Sequence, residues 1–293
     1  MIIKFYGVRG SIPTPGPDTA KYGGNTSCVF IQMHSGRNII FDAGTGIRTL
    51  GKELIDSDSP LNIVLSHGHW DHIQGFPFFA PLYQPDREIN ILIPVESGDH
   101  LQHSLFDQLD GRKFPVKADA LPSRSRCLPN GDFRALYDGN FDLTERPLNH
   151  PGGGSAYKIE EDGISVAYVT DNELDPPHDA HTGYDDWVDF CHGVDVLIHD
   201  AQYTDGDMPH KRGWGHSLVS QVRQLAIDAE VGSLVMFHHD PDRTDAQLDR
   251  IERENQSFFR DRRATATSVC AFEGLQIELS KRAAGSATLF EIR

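Results

Sequence analysis

The chain has 293 residues, enough to bury a sizeable core, and its 43 acidic against 27 basic residues leave a net charge of −16. General nucleic-acid binding, which draws on Lys and Arg against phosphates, is a poor fit to that balance, although screening over about 8 Å at physiological salt lets one local positive site act. No run reaches the roughly 20 apolar residues of a membrane span, and no leader pattern opens the chain. Cys28, Cys127, Cys191 and Cys270 form no C-x-x-C pair, so the expectation is a reduced, cytoplasmic protein with no membrane partner.

In chain order, Ile2–Tyr6 reads as a strand, and the Gly/Pro-rich GVRGSIPTPGPDTAKYGGN after it reads as a loop. Apolar β-type runs follow at 28–33, 38–44, 62–66 and 89–94. Residues 98–130 are polar, with a helical piece around Leu101–Leu109. They read as an ordinary solvated loop or as an insertion lying over an active-site mouth, with Arg112, Lys113, Lys117, Arg124 and Arg126 available there. The second half repeats the strand pattern at FDLTERPL, SAYKIEE, ISVAYVTD, DVLIHDAQ, SLVMFHHD and LQIELS. Helical patterns stand at HSLVSQVRQLAIDAEV and at TDAQLDRIERENQSFFRDRR, the latter opening on a Thr244…Gln247 capping-box spacing. Two strand series with helices between predict an α/β fold: a four-layer αββα sandwich of two sheets flanked by helices, one domain over 1–293. Several strands end in a polar residue at the same relative place (His67, Asp171, Asp200, His238), so a site built on one rim is expected.

SHGHWDH at 66–72 places His67, His69, Asp71 and His72 in one short loop. One ion cannot easily use four donors from so short a loop, but two ions can, if His67 and His69 face one and Asp71 and His72 the other. A solvated histidine-rich loop is the plain alternative. Against it stand distant companions: His150 in NHPGGGSAYKI, Asp171 in YVTD, and a histidine in FHHDP. His238 and His239 compete for that last place, because adjacent strand residues point to opposite faces.

This set, in this order, resembles the H-x-H-x-D-H signature and its partners in the metallo-β-lactamase superfamily, over about residues 2–242. The resemblance implies two mixed sheets. It also implies one metal on His67, His69 and His150, and a second on Asp71, His72 and His238, with Asp171 bridging. It favours His238 over His239 through the proline that follows. The opening GVRGSIPTPG…GGNTSC and the pair DVLIHDAQY…GWGHS are similar to the ribonuclease Z-like phosphodiesterase branch. There Asp200 would orient His216, and His216 would protonate the leaving group while metal-activated water, with Asp71 at the metals, attacks phosphorus. Asp stands at 200 where that branch carries Glu, one methylene longer, which puts the hydrogen bond to His216 in doubt. Plainer roles for these residues are a turn histidine at 150, caps at 171 and 200, and a helix-start histidine at 216. Asn25 and Ser27 are candidate substrate-binding residues, alongside the glycines at 152–154.

The implied cofactors are two divalent ions, Zn²⁺ first and Mn²⁺ or Fe as alternatives. The implied substrate is a small phosphodiester such as a cyclic nucleotide, with a homodimer left open. Ribonuclease Z carries a tRNA-gripping arm between its third histidine and bridging aspartate, whereas here His150 and Asp171 stand only 21 positions apart. The competing readings are an esterase, lactonase or thioesterase on the same scaffold, and a nuclease lacking that arm.

Overall fold

The computed structural model describes residues 1–94, 98–137, 141–280 and 289–292; the remainder of the expected 1–293 domain lies outside the described residues. The first sheet contains β1 (Ile2–Gly7), β2 (Cys28–Gln32), β3 (Asn38–Phe41), β4 (Leu61–Val64), β5 (Glu88–Leu92) and β6 (Arg124–Leu128). The second contains β7 (Phe141–Pro147), β8 (Ser155–Glu161), β9 (Ile164–Val169), β10 (Val196–Asp200), β11 (Ser233–Phe237) and β12 (Thr267–Cys270). The chain then returns to the first sheet as β13 (Gln276–Ser280) and β14 (Leu289–Ile292), giving the orders β14-β13-β1-β2-β3-β4-β5-β6 and β12-β11-β10-β9-β8-β7. Both sheets are mixed. β3 to β6 run parallel, as do β9 to β12, and the other pairings are antiparallel.

Strand residues on alternate positions divide between two apolar layers, as a period of two requires. Ile3, Phe5, Val29, Ile31 and Phe41 meet Tyr157, Val166, Tyr168, Ile198 and Phe237 between the sheets. Outside the first sheet lie α1 (Ile47–Leu54), α2 (Trp70–Ile73) and α3 (Gly98–Phe106), with Ile47, Leu50, Ile73, Leu101 and Leu105 buried on Ile40, Ile63 and Ile91. A short α4 (Asn130–Arg134) brings Phe133 to the inter-sheet core. Outside the second sheet lie α5 (Tyr184–Cys191), α6 (Val219–Asp228) and α7 (Asp245–Asp261), burying Trp187, Phe190, Val222, Leu225, Leu248 and Ile251 against Ala167, Leu197 and Leu234. The expected four-layer sandwich is the observed one.

Two segments differ from the sequence reading. Residues 98–130 are not irregular throughout: α3 opens the segment and β6 closes it as the edge strand beside β5. RSRCL lacks an apolar run because an edge strand, only half buried here, needs no two-sided core. The helix expected from HSLVSQVRQLAIDAEV begins at Val219 rather than His216, because His216 and Ser217 are committed elsewhere: His216 Nδ1 to Asp200 and Ser217 Oγ to the Asn172 carbonyl. The expected capping box of α7 is present, with Gln247 Oε1 accepting the Thr244 N–H at 2.8 Å.

Candidate metal centre

The parallel strands β4, β9, β10 and β11 release their chains at one rim, and the loop between β7 and β8 joins them there. Open α/β sheets place ligand sites at such carboxyl ends. After β4 come Ser66 and His67; after β9, Asp171; at the end of β10, Asp200; after β11, His238; in the β7–β8 loop, His150. Two donor groups meet at Asp171, His67–His69–His150–Asp171 and Asp71–His72–Asp171–His238, and a third, Asp200–His216–His238, overlaps the second through His238; the donor atoms of each lie within 4.8 Å of one another.

Asp171 belongs to both groups and turns a different oxygen to each. Its Oδ2 lies 3.6 Å from Nε2 of His67 and of His150. Its Oδ1 lies 3.2 Å from His72 Nε2 and 3.1 Å from His238 Nε2. Asp71 Oδ2 closes the second group, 3.2 Å from His72 Nε2 and 3.1 Å from His238 Nε2. In the first group His69 Nδ1 stands 2.9 Å from His150 Nε2.

Each inner ring spends its other nitrogen on a fixed acceptor. His72 Nδ1 donates to Asp42 Oδ2 at 2.8 Å, His238 Nδ1 to Gln202 Oε1 at 2.8 Å, and His150 Nδ1 to the Gly215 carbonyl at 2.9 Å. His67 Nδ1 donates to Ser66 Oγ at 3.0 Å, and that hydroxyl donates onward to Asp42. With Nδ1 so occupied, the Nε2 lone pairs converge on carboxylate oxygens and on one another. His72 and His238 set theirs 3.2 Å apart, and His67 Nε2 is buried without a hydrogen bond among the described residues.

That arrangement fits a cation better than a proton. A proton satisfies one pair of donors, whereas a divalent ion satisfies three or four. Bonds of about 2.0–2.1 Å in a tetrahedron put donors roughly 3.3 Å apart, close to the separations in the second group. The charges agree. Burial opposes ionisation of Asp71 and Asp171, yet the surrounding imidazoles hold both carboxyls well below the usual carboxylate range. Burial likewise opposes a charged His72, but Asp171, Asp71 and Asp42 push it well above the ordinary imidazole range, so the pocket asks for positive charge. Burial lowers His67 well below that range and His150 to about 4, leaving both neutral as ligands must be.

The rim is shaped by backbone in the left-handed region. Asp42, Asp171 and His238 have φ of 60°, 48° and 56°, a sparsely populated conformation for residues with side chains. At His238 the kink brings the ring into the second group, while His239 turns away and donates Nε2–H to the Ala271 carbonyl at 2.8 Å. Gly10 presses on the His238 ring so closely that a Cβ there would stand 2.5 Å from it.

Beside the donors, His216 Nδ1 lies 2.8 Å from Asp200 Oδ2, so the shorter Asp side chain still reaches the ring. Burial works against a charged His216, but the charge and hydrogen bond of Asp200 outweigh it and raise the ring to about 9. His216, Asp171, Asp71, His69, Trp70, Gly68 and Ser11 line an open cavity of about 400 Å³.

The structure does not bring Asn25 and Ser27 to this cavity. Asn25 Nδ2 donates to Glu273, and Ser27 is fully buried beneath the loop. Of the loop glycines, Gly152 approaches, with a Cβ there falling 3.6 Å from His69 Nε2. Sequence reasoning assigned no role to Asp42, Gln202, Ser66 or the Gly215 carbonyl, and the one available signal for Asp42 was its place in the FDAGTG turn that follows β3.

Residues 37–239 match a family model described as a beta-lactamase superfamily domain. Ribonuclease Z of Thermoplasma acidophilum is 25% identical over 282 residues, covering 84% of this chain and 88% of that protein. Among solved structures, the metallo-beta-lactamase fold protein YhfI from Bacillus subtilis superposes with a TM-score of 0.66 at 18% identity, covering 94% of this chain and 99% of that one. The short form of human tRNase Z does so at 0.61 and 20% identity, covering 95% and 99%. At such identities these two likenesses speak to the fold. No helix among the described residues is long and apolar enough to cross a membrane.

Proposed function

The chain belongs to the beta-lactamase superfamily, and on that premise we propose that it is a metal-dependent phosphodiesterase acting on a small phosphodiester such as a cyclic nucleotide. His67, His69 and His150 would hold one divalent cation and Asp71, His72 and His238 a second, with Asp171 available to both; Zn²⁺ suits this donor set, with Mn²⁺ and Fe as alternatives. The observation that carries the reading is the pairing of a carboxylate shared between two donor groups with the Asp200–His216 pair beside it.

When bound, two such cations supply a nucleophile from water near neutral pH and neutralise phosphoryl oxygens. The chain's own residues do the rest. Asp171 fixes the spacing of the two groups, and Asp42, Gln202 and the Gly215 carbonyl fix the ring orientations. His216, held by Asp200, carries a proton on Nε2 for the leaving alkoxide, a basic group that departs slowly without one. A thioester, whose thiolate leaves readily, makes no such demand, which favours phosphodiesters over the thioesterase reading.

The ribonuclease Z relative supports a second reading, a nuclease. Between His150 and Asp171, however, β8 and β9 are joined by the turn Asp162–Gly163 alone, both residues at positive φ, and this favours a small substrate. Turnover of cyclic nucleotides, bis-p-nitrophenyl phosphate, pre-tRNA and lactones by metal-loaded protein tests the proposal. Efficient trailer removal from pre-tRNA would replace it with the nuclease reading. Lactone turnover without phosphodiester turnover would replace it with the ester-hydrolase reading.

A further inference from the structure

A second cavity, of about 460 Å³, adjoins the metal centre. It shares Gly68 and Trp70 with the first, so the two cavities lie side by side. Its aromatic lining is Trp70, Phe78 and Phe114. Trp70 and Phe78 are 77% and 56% exposed, which is costly for such side chains unless something covers them, and Phe78 meets Phe114 edge to face at 5.3 Å. Its polar lining is Gln74, Ser104, Asp107, Gln108 and Lys113. Gln74 and Gln108 donate their amide NH₂ groups to Thr26 Oγ1 and to the Ile73 and Leu105 carbonyls. The carboxylate of Asp107 stands on the same wall. The wall is fixed in place: α3 packs so tightly on the metal loop that a Cβ on Gly68 would stand 2.9 Å from Leu101 Cδ1.

We propose that this cavity is a nucleobase subsite, taking the flat, amino-bearing ring of the phosphodiester whose phosphate lies at the metal centre. The proposal rests on the phosphodiesterase reading for what occupies the first cavity. Aromatic faces stack on a base, and base stacking tolerates any ring with a π-face. A purely apolar group would offer Asp107 and the two glutamines no hydrogen-bonding atom, whereas a base such as adenine brings an exocyclic amine as donor and ring nitrogens as acceptors. The segment around α3, overlapping residues 98–130, thereby becomes the specificity wall of the site rather than a solvated loop.

Calorimetric titration of metal-loaded protein with AMP and with ribose 5-phosphate separates base from phosphate. AMP is expected to bind about 10-fold tighter or better, and Phe78→Ala to weaken AMP by about 5- to 100-fold while ribose 5-phosphate changes by less than about twofold. The Phe78 side chain is largely in solvent, so the fold survives its loss, and elemental analysis checks that metal content holds. Asp107→Asn is expected to weaken AMP by a smaller factor. Equal binding of AMP and ribose 5-phosphate, or equal losses of both in the variants, overturns the subsite. Turnover is scored separately. Selective AMP binding without phosphodiester hydrolysis keeps the subsite and rejects the phosphodiesterase reading, and hydrolysis without base selectivity does the reverse.

Discussion

The two donor groups are built from similar residues yet are held by different means. Around Asp71, His72 and His238 everything is buried, and the two rings are restrained by side chains just past β3 and β10, Asp42 on His72 and Gln202 on His238, while Asp71 accepts the Ser11 main-chain N–H at 2.7 Å. Around His67, His69 and His150 the site opens to solvent through His69, and His150 is held by a main-chain carbonyl. A side-chain restraint is lost in one substitution. A main-chain restraint survives unless whatever fixes that backbone is removed. The buried group should therefore be the easier to damage from a distance, and the open group the easier to load and strip.

Asp171 is where the comparison collapses, since both groups need it. Asp171→Ala should abolish nearly all turnover and lower metal content from about two per chain to below about one by elemental analysis. Retention of full occupancy would mean the groups are independent and the carboxylate is not shared.

His216 lies outside both groups, and its loss should leave them intact. His216→Ala should slow cyclic-nucleotide hydrolysis by about 10²–10⁴-fold, the usual worth of general acid catalysis. It should slow a p-nitrophenyl phosphodiester far less, because that leaving group departs unaided. Equal losses on the two substrates would assign His216 to metal placement instead.

The buried group offers the next largest effect. Asp42→Asn removes the charge that orients His72 directly and His67 through Ser66, so metal affinity at the Asp71–His72–His238 site should fall about 10–100-fold in a competition titration with a chelator, with a smaller loss at the other site. Gln202→Leu should do the same through His238 at the lower end of that range. If either substitution strips both sites equally, the division into separately held groups is wrong.

The difference between the groups also explains what the sequence could disclose. The donors were legible because metal chemistry restricts them to His and Asp, and because loop geometry restricts their spacing, as at His67, His69, Asp71 and His72. Their restraints were not, because an imidazole N–H accepts any oxygen: a carboxylate at Asp42, an amide at Gln202, a hydroxyl at Ser66, the main chain at Gly215. The layered fold was legible from buried strands with period two and amphipathic helices such as α7. β6 was not, because its half-buried edge position leaves RSRCL no apolar pattern to read. Asn25 and Ser27 were misplaced for a related reason. A polar residue beside a Gly-rich loop looks the same whether it faces the substrate or, as Asn25 does, a carboxylate behind the loop.

The smallest effect tests the open group through its backbone. Gly215 gives its carbonyl to His150 and is followed at once by His216, and Glu173 fixes it: Oε2 accepts the Gly215 N–H at 3.0 Å and Oε1 the Gly213 N–H at 2.8 Å. The Glu173 N–H in turn donates to the Asn149 carbonyl, one residue before His150. Three segments carrying His150, Asp171 and His216 thus meet at one buried carboxylate. Glu173→Gln keeps the volume but turns an NH₂ group toward one of those N–H donors, so that donor is left unpaired. The peptide should loosen without unfolding, weakening metal binding at one site by about threefold to tenfold, below the 10–100-fold typical of losing a ligand's own hydrogen-bond partner. Because the same peptide positions His216, cyclic-nucleotide turnover should fall further than p-nitrophenyl phosphodiester turnover. A merely structural Glu173 would lower the melting temperature and leave both the ratio of the two substrates and the metal affinity unchanged. That outcome would detach the open group from the proton donor.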